Sequence, residues 1–190
     1  MGALSTDNAR GPLSIVVMGV SGSGKSALGR QLAASLNTPF IEGDDFHPPA
    51  NLAKMRAGIA LQDKDRWPWL DELGRALGIA AREYGLVVGA CSALKHSHRD
   101  RLRLAAGVPL VFVCLQADAS VIAARMKERR EHFMPASLLS SQIAILELPD
   151  ATEDALFVDS TVPVDRIVPV VRAEVLSRLA ALTNQHRATQ

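Results

Sequence analysis

The chain has 190 residues, 48% of them hydrophobic, with 21 Lys and Arg against 20 Asp and Glu for a formal net charge of +1. That length suits one compact domain, and so even a charge balance gives no bulk pull toward nucleic acid or an anionic membrane; any basic site must be local. No apolar segment approaches the roughly 18 residues of a membrane span, and the polar N-terminus lacks the apolar core of a signal peptide.

The elements follow in order. Leu13 to Met18 is an apolar strand, and Gly24 to Leu36 has helical spacing. Pro39 to Ile41 is a short second strand, ending at Glu42-Gly43-Asp44. A polar stretch, His47 to Asp65, holds a short helix around Asn51 to Ala57. Trp69 to Arg82 reads as a helix, Leu86 to Cys91 as a third strand and Ser97 to Ala105 as a helix. Leu110 to Leu115 is a fourth strand, apolar throughout as buried parallel strands are. Helices over Ala119 to Arg129 and Pro135 to Glu147, a fifth strand over Ala155 to Val158 and a helix over Ile167 to Leu182 complete the chain. The alternation predicts an α/β fold: a parallel sheet covered on both faces, in one domain over 13–182. Residues 1–12 read as a disordered leader and 183–190 as a polar tail. Cys91 and Cys114 sit in strand runs and read as buried reduced thiols, as expected of a cytoplasmic protein. No four-ligand zinc spacing accompanies them.

The chemistry starts between the first strand and helix. Gly19, Gly24, Lys25 and Ser26 satisfy G-x-x-x-x-G-K-[ST]. Glycines let the backbone turn tightly, so that N–H groups from Ser21, Gly22, Ser23 and Gly24 through Ala27 can cradle phosphate oxygens at a helix N-terminus. Lys25 reaches the β- and γ-phosphates and Ser26 ligates Mg²⁺ in such a loop, which predicts a bound nucleoside triphosphate.

The acids discriminate among classes. The third strand ends Gly89-Ala90-Cys91-Ser92 and the fourth Leu115-Gln116, without the magnesium-holding Asp of motor ATPases. There is no Asn-Lys-x-Asp motif, and Asp71-Glu72-Leu73-Gly74 lies in a helical pattern. Glu42 and Asp44 instead follow the second strand, where α/β sheets bind ligands. Read as an extended segment, they share one face. One would hold Mg²⁺ through water; the other would orient a hydroxyl nucleophile for phosphoryl transfer.

Five further segments carry a resemblance: Glu42-Gly43-Asp44-Asp45-Phe46-His47-Pro48; Gln62-Asp63-Lys64-Asp65-Arg66-Trp67-Pro68-Trp69; Cys91-Ser92-Ala93-Leu94-Lys95 with Arg99; His132-Phe133-Met134-Pro135; and Leu146-Glu147-Leu148-Pro149. Over roughly Ile15 to Asp159 the chain resembles the small P-loop gluconokinases, relatives of shikimate and adenylate kinases. The resemblance implies a three-layer P-loop kinase fold with sheet order 2-3-1-4-5, a mobile lid at about 125–137 and commonly a homodimer. It implies transfer of the γ-phosphate of ATP to the terminal hydroxyl of D-gluconate. The rival readings are a kinase of another small hydroxy acid such as shikimate, or a nucleotide-binding module without turnover. Glu42 stands where an aspartate is usual, and His98 where an aromatic residue is expected.

A sugar-acid site needs cations for a carboxylate and hydrogen-bonding groups for hydroxyls. Asp44, His47, Lys54, Ser92, Lys95 and Arg99 supply them, with Gln142 and His132 as further candidates. Lys54, Lys95 and Arg99 are equal candidates for the carboxylate, each with the alternative of a solvated charge. Arg125 and Arg129, four apart, share a helix face and read as lid cations that close over the phosphates, completing a catalytic set with Lys25 and Asp44. By resemblance, Ser160 to Pro163 runs beside the adenine. Trp67 and Trp69 read as packing residues, and Asp65 with Arg66 as a local pair.

Overall fold

The computed structural model describes residues 11–128 and 137–188. Arg129 and His132, and most of the segment expected as a lid, lie outside the described residues. Five parallel strands form one sheet in the order β2-β3-β1-β4-β5: β1 (Leu13–Met18), β2 (Phe40–Glu42), β3 (Leu86–Cys91), β4 (Leu110–Gln116) and β5 (Ala155–Asp159). The helices are α1 (Lys25–Leu36), α2 (Pro49–Arg56), α3 (Asp63–Tyr84), α4 (His96–Ala106), α5 (Ala119–Glu128), α6 (Ser137–Ala144) and α7 (Val164–Ala188).

Side chains alternate across a strand, so each apolar run serves two cores. Ile15 and Val17 of β1 join Val88, Val111 and Val113 under Leu28 and Leu32 of α1 and Val171 and Val175 of α7. Val16 and Met18 join Val87, Phe112 and Cys114 under Leu70, Leu73 and Leu77 of α3 and Leu102 of α4. Two-sided burial is why the strands read as continuous apolar runs. It also leaves both cysteines buried and free. Burial pushes the Cys91 thiol up to about 12 and the Cys114 thiol to about 11, so both stay protonated.

Two helices begin earlier than their apolar periodicity suggests. α3 starts at Asp63, because the Asp65 carboxylate accepts the Gln62 N–H at 2.9 Å in a capping box. Pro68 then falls in the second turn, where a missing N–H removes a single hydrogen bond. α7 starts at Val164, with Pro169 at the same sixth position, and continues to Ala188 through most of the segment expected as a polar tail. Among the described residues no helix is long and apolar enough to cross a membrane.

Candidate active site

β1 delivers the chain into the glycine loop and α1. Gly24 takes φ 100°, a left-handed conformation at the helix N-cap. Two distant segments hold the loop. The Gly19 N–H donates to the Ser92 carbonyl at 3.3 Å, and the Ser21 N–H donates to Oε1 of Gln142 at 2.7 Å. Lys25 Nζ donates to the Val20 carbonyl at 3.0 Å. The Ser23 hydroxyl is buried with no partner among the described residues, a polar orphan inside a loop of phosphate-cradling type.

β2 brings the acids to this loop, though not in extended form. The chain turns straight after Glu42 into a short 3-10 turn, Gly43–Phe46, so Glu42 and Asp44 are not related by strand alternation. The turn depends on Gly43: a Cβ there would lie 2.2 Å from the Ala90 carbonyl oxygen. Glu42 accepts a hydrogen bond from Ser26 and faces Arg30 at 3.4 Å. Burial raises its pKa; the Ser26 hydroxyl opposes that rise and the charge of Asp44 adds to it. Asp44 borders a cleft of about 810 Å³, open mouth included, together with Lys25, Ser26, Ser92 and Gln142.

The far wall of the cleft is a stacked pair. The rings of His47 and Trp69 lie 4.0 Å apart, and the Trp69 indole donates to the Gly43 carbonyl at 2.7 Å. Trp69 is thus both a core residue and a wall of the site. Asn51 Nδ2 lies 3.4 Å from His47 Nδ1 and donates to the Asp65 carbonyl at 2.8 Å. An amide donor at Nδ1 leaves the imidazole proton on Nε2, which lies 4.0 Å from Asp44. Burial pushes the His47 pKa down to about 4, Asp44 opposing it, so the ring is neutral near pH 7.

A second hollow, about 590 Å³, lies on the other side of the loop residues Gly22–Gly24 and is bordered by Arg125 and Thr161 to Pro163. Arg125 donates to the Ser160 carbonyl at 2.7 Å and its hydroxyl at 3.3 Å.

Three expected cations lie elsewhere. Lys54 pairs with Asp65 at 2.6 Å and Lys95 with Asp63 at 2.8 Å, and neither borders the cleft. Asp65 therefore serves Lys54, not the neighbouring Arg66. Arg99 is 0% exposed and cannot present its charge to a substrate carboxylate. It makes a bidentate pair with Glu153 at 2.7 Å and donates to the carbonyls of Ala93 and Glu147 at 3.2 and 2.8 Å. Ala93 sits at φ 43°, so Arg99 pins a strained loop just after Ser92. His98, the unexpected histidine, is buried against Trp67 and bonds Asp63 at 3.1 Å. Sequence reasoning missed Glu153, which no motif marks. It also missed Arg66 as a cation bordering the cleft.

A glycine loop on this sheet order, with a lysine and a carboxylate facing one polar cleft, defines a P-loop small-molecule kinase. Residues 15–149 match the family model described as an AAA domain. The chain is 44% identical over 168 residues to the thermosensitive gluconokinase of Escherichia coli (strain K12), covering 86% of this chain and 88% of that protein. It is 44% identical over 145 residues to the gluconokinase of Gluconobacter oxydans (strain 621H), covering 76% and 81%. The crystal structure of a gluconokinase from Sinorhizobium meliloti 1021 superposes with a TM-score of 0.81 at 48% identity, covering 93% of this chain and 98% of that one. The chain belongs to the gluconokinase family.

Proposed function

We propose that the protein transfers the γ-phosphate of ATP to the terminal hydroxyl of D-gluconate, giving 6-phospho-D-gluconate and ADP. The observation that carries this reading is the shared cleft: Asp44 and Lys25 face one cavity whose remaining wall offers hydroxyl- and amide-type partners suited to a polyol. The loop 19–24 and the first turn of α1 take the phosphates, with Ser160 to Pro163 beside the base. The hydroxyl of the acceptor sits against Asp44, which orients it and takes its proton. His47, with its proton on Nε2, donates to the same hydroxyl region. Lys25 and Arg125, joined by Arg129, balance charge on the transferring group, and positioning plus charge stabilisation supply most of the catalysis.

The Ser26 hydroxyl and Glu42 carboxylate form a hydrogen-bonded pair of hard oxygen groups that fits a magnesium ion. Such an ion neutralises phosphate charge when bound. Ser26 would hold it directly and Glu42 through water. We further infer a homodimer, since α3 and α4 pack together and carry the exposed Ile79 and Leu104. The free buried thiols fit a reducing compartment, the cytoplasm.

The test is ADP release by purified protein with ATP, magnesium and a panel of acceptors. Gluconate-dependent ADP is expected; its absence, or a preference for shikimate, would overturn the reading. The Asp44→Asn variant should lose about 100-fold or more in turnover, the range of positioned acid–base groups, while still binding ATP. Near-wild-type turnover would remove Asp44 from this role.

A further inference from the structure

Arg66 is the fourth residue of α3, with its side chain only 8% exposed. It borders the cleft. Among the described residues, the cations bordering that cleft are Lys25 and Arg66. Lys25 belongs to the phosphate loop. Arg66 does not, and its partners are few. Nη1 donates to the Leu61 carbonyl at 2.6 Å, and Asp63 lies 3.6 Å away, beyond hydrogen-bond reach. A guanidinium carries five N–H donors, so Nε and Nη2 are without a protein acceptor among the described residues.

Nearby carboxylates do not fill that gap. Asp63 is taken by Lys95 at 2.8 Å and His98 at 3.1 Å, and Asp65 by Lys54 at 2.6 Å. Lys54, Lys95 and Arg99 each have an acidic partner within hydrogen-bond distance. Arg66 is left as a nearly buried cation whose one ion pair, to Asp63, is long and shared, and whose Nε and Nη2 have no acceptor among the described residues. Burying a charge without a full partner is costly, and such an arrangement persists where a ligand completes it. The fork geometry matches a carboxylate bidentately.

Resting on the gluconate reading above, we propose that Arg66 receives the substrate carboxylate and makes the site selective for an acid over a neutral polyol. The substrate then lies with its reacting hydroxyl at Asp44 and its carboxylate at Arg66, along the His47–Trp69 wall. Burial lowers the pKa of Arg66 against the pull of Asp63 and Asp65.

The test compares D-gluconate with D-gluconamide, its neutral amide, by calorimetry and by turnover. Wild type should bind the acid more tightly. In Arg66→Met the gluconate KM should rise at least about 30-fold, the scale of losing one partner of a buried charge pair. The preference for acid over amide should collapse, with the KM for ATP within about threefold of wild type. A purely structural role would weaken both ligands alike. If Arg66→Met fails to fold, Arg66→Lys decides: charge without the fork should narrow the acid preference. A wild type indifferent to acid or amide, or variants that keep the preference, would overturn the assignment. A wild type without gluconate turnover would instead sink the function proposed above.

Discussion

His47 keeps its imidazole neutral because Trp69 covers it and only Asp44 favours the cation; its pKa drops to about 4. Two outcomes follow. The ring does not titrate near 6.5, so the pH profile of kcat/KM should show no break there that disappears in His47→Gln; such a break would contradict the neutral donor. Stability behaves differently. Between pH 6.5 and about 4 the unfolded chain takes up a proton that the folded chain refuses, so His47 makes stability fall as pH falls through that window. Urea titrations should show that slope reduced in His47→Gln. At this scale the sequence was legible where residue type and spacing suffice, as in the glycine loop. Charge ownership was not. Lys54, Lys95 and Arg99 had equal claims to a carboxylate, and the acids they pair with in the structure, Asp65, Asp63 and Glu153, lie 11, 32 and 54 residues away.

At the scale of elements, all five strands lie within two residues of their apolar runs, and in β1, β3 and β4 burial on both faces writes an uninterrupted signal. The helices with polar first turns, α3 and α7, were read short for the opposite reason: periodicity begins where burial begins, while capping begins earlier. The turn after β2 was likewise hidden, because Gly43 acts through a backbone contact with Ala90, not through any pattern. That contact makes Gly43→Ala a sharp probe. A methyl 2.2 Å from the Ala90 oxygen must displace β3 or the turn. The expected cost is about 2 kcal/mol or more, as for overpacking. Calorimetry should register it as a Tm lower by roughly 4–8 °C in a domain of this size. Turnover should fall as well, since Asp44 is the next residue. An unchanged Tm would mean the turn has slack that its geometry does not show.

Across the whole molecule, Arg99 and Glu153 join the two halves of the fold. Burial disfavours the Glu153 carboxylate, yet hydrogen bonds from Arg99 and Arg103 hold its pKa below the ordinary 4.5. Its stabilisation is therefore complete above pH 4.5 and is lost as pH falls through the lower folded value. Glu153→Gln should cost about 3–5 kcal/mol at pH 7, the scale for stranding one member of a buried pair. It should also flatten the acid limb of the stability curve; a wild-type limb would exclude Glu153 as its source. The same pair sets an order of events. Its partners are 54 residues apart, and the loop after Ser92 rests on it. A growing chain completes the phosphate loop and both acids early in synthesis. The Ser92 loop, one side of the acceptor cleft, lacks the Glu153 partner of its Arg99 anchor until residue 153 has left the ribosome. The phosphate loop and its acids are therefore built first, and the Ser92 anchor and the base-side segment Ser160 to Pro163 last.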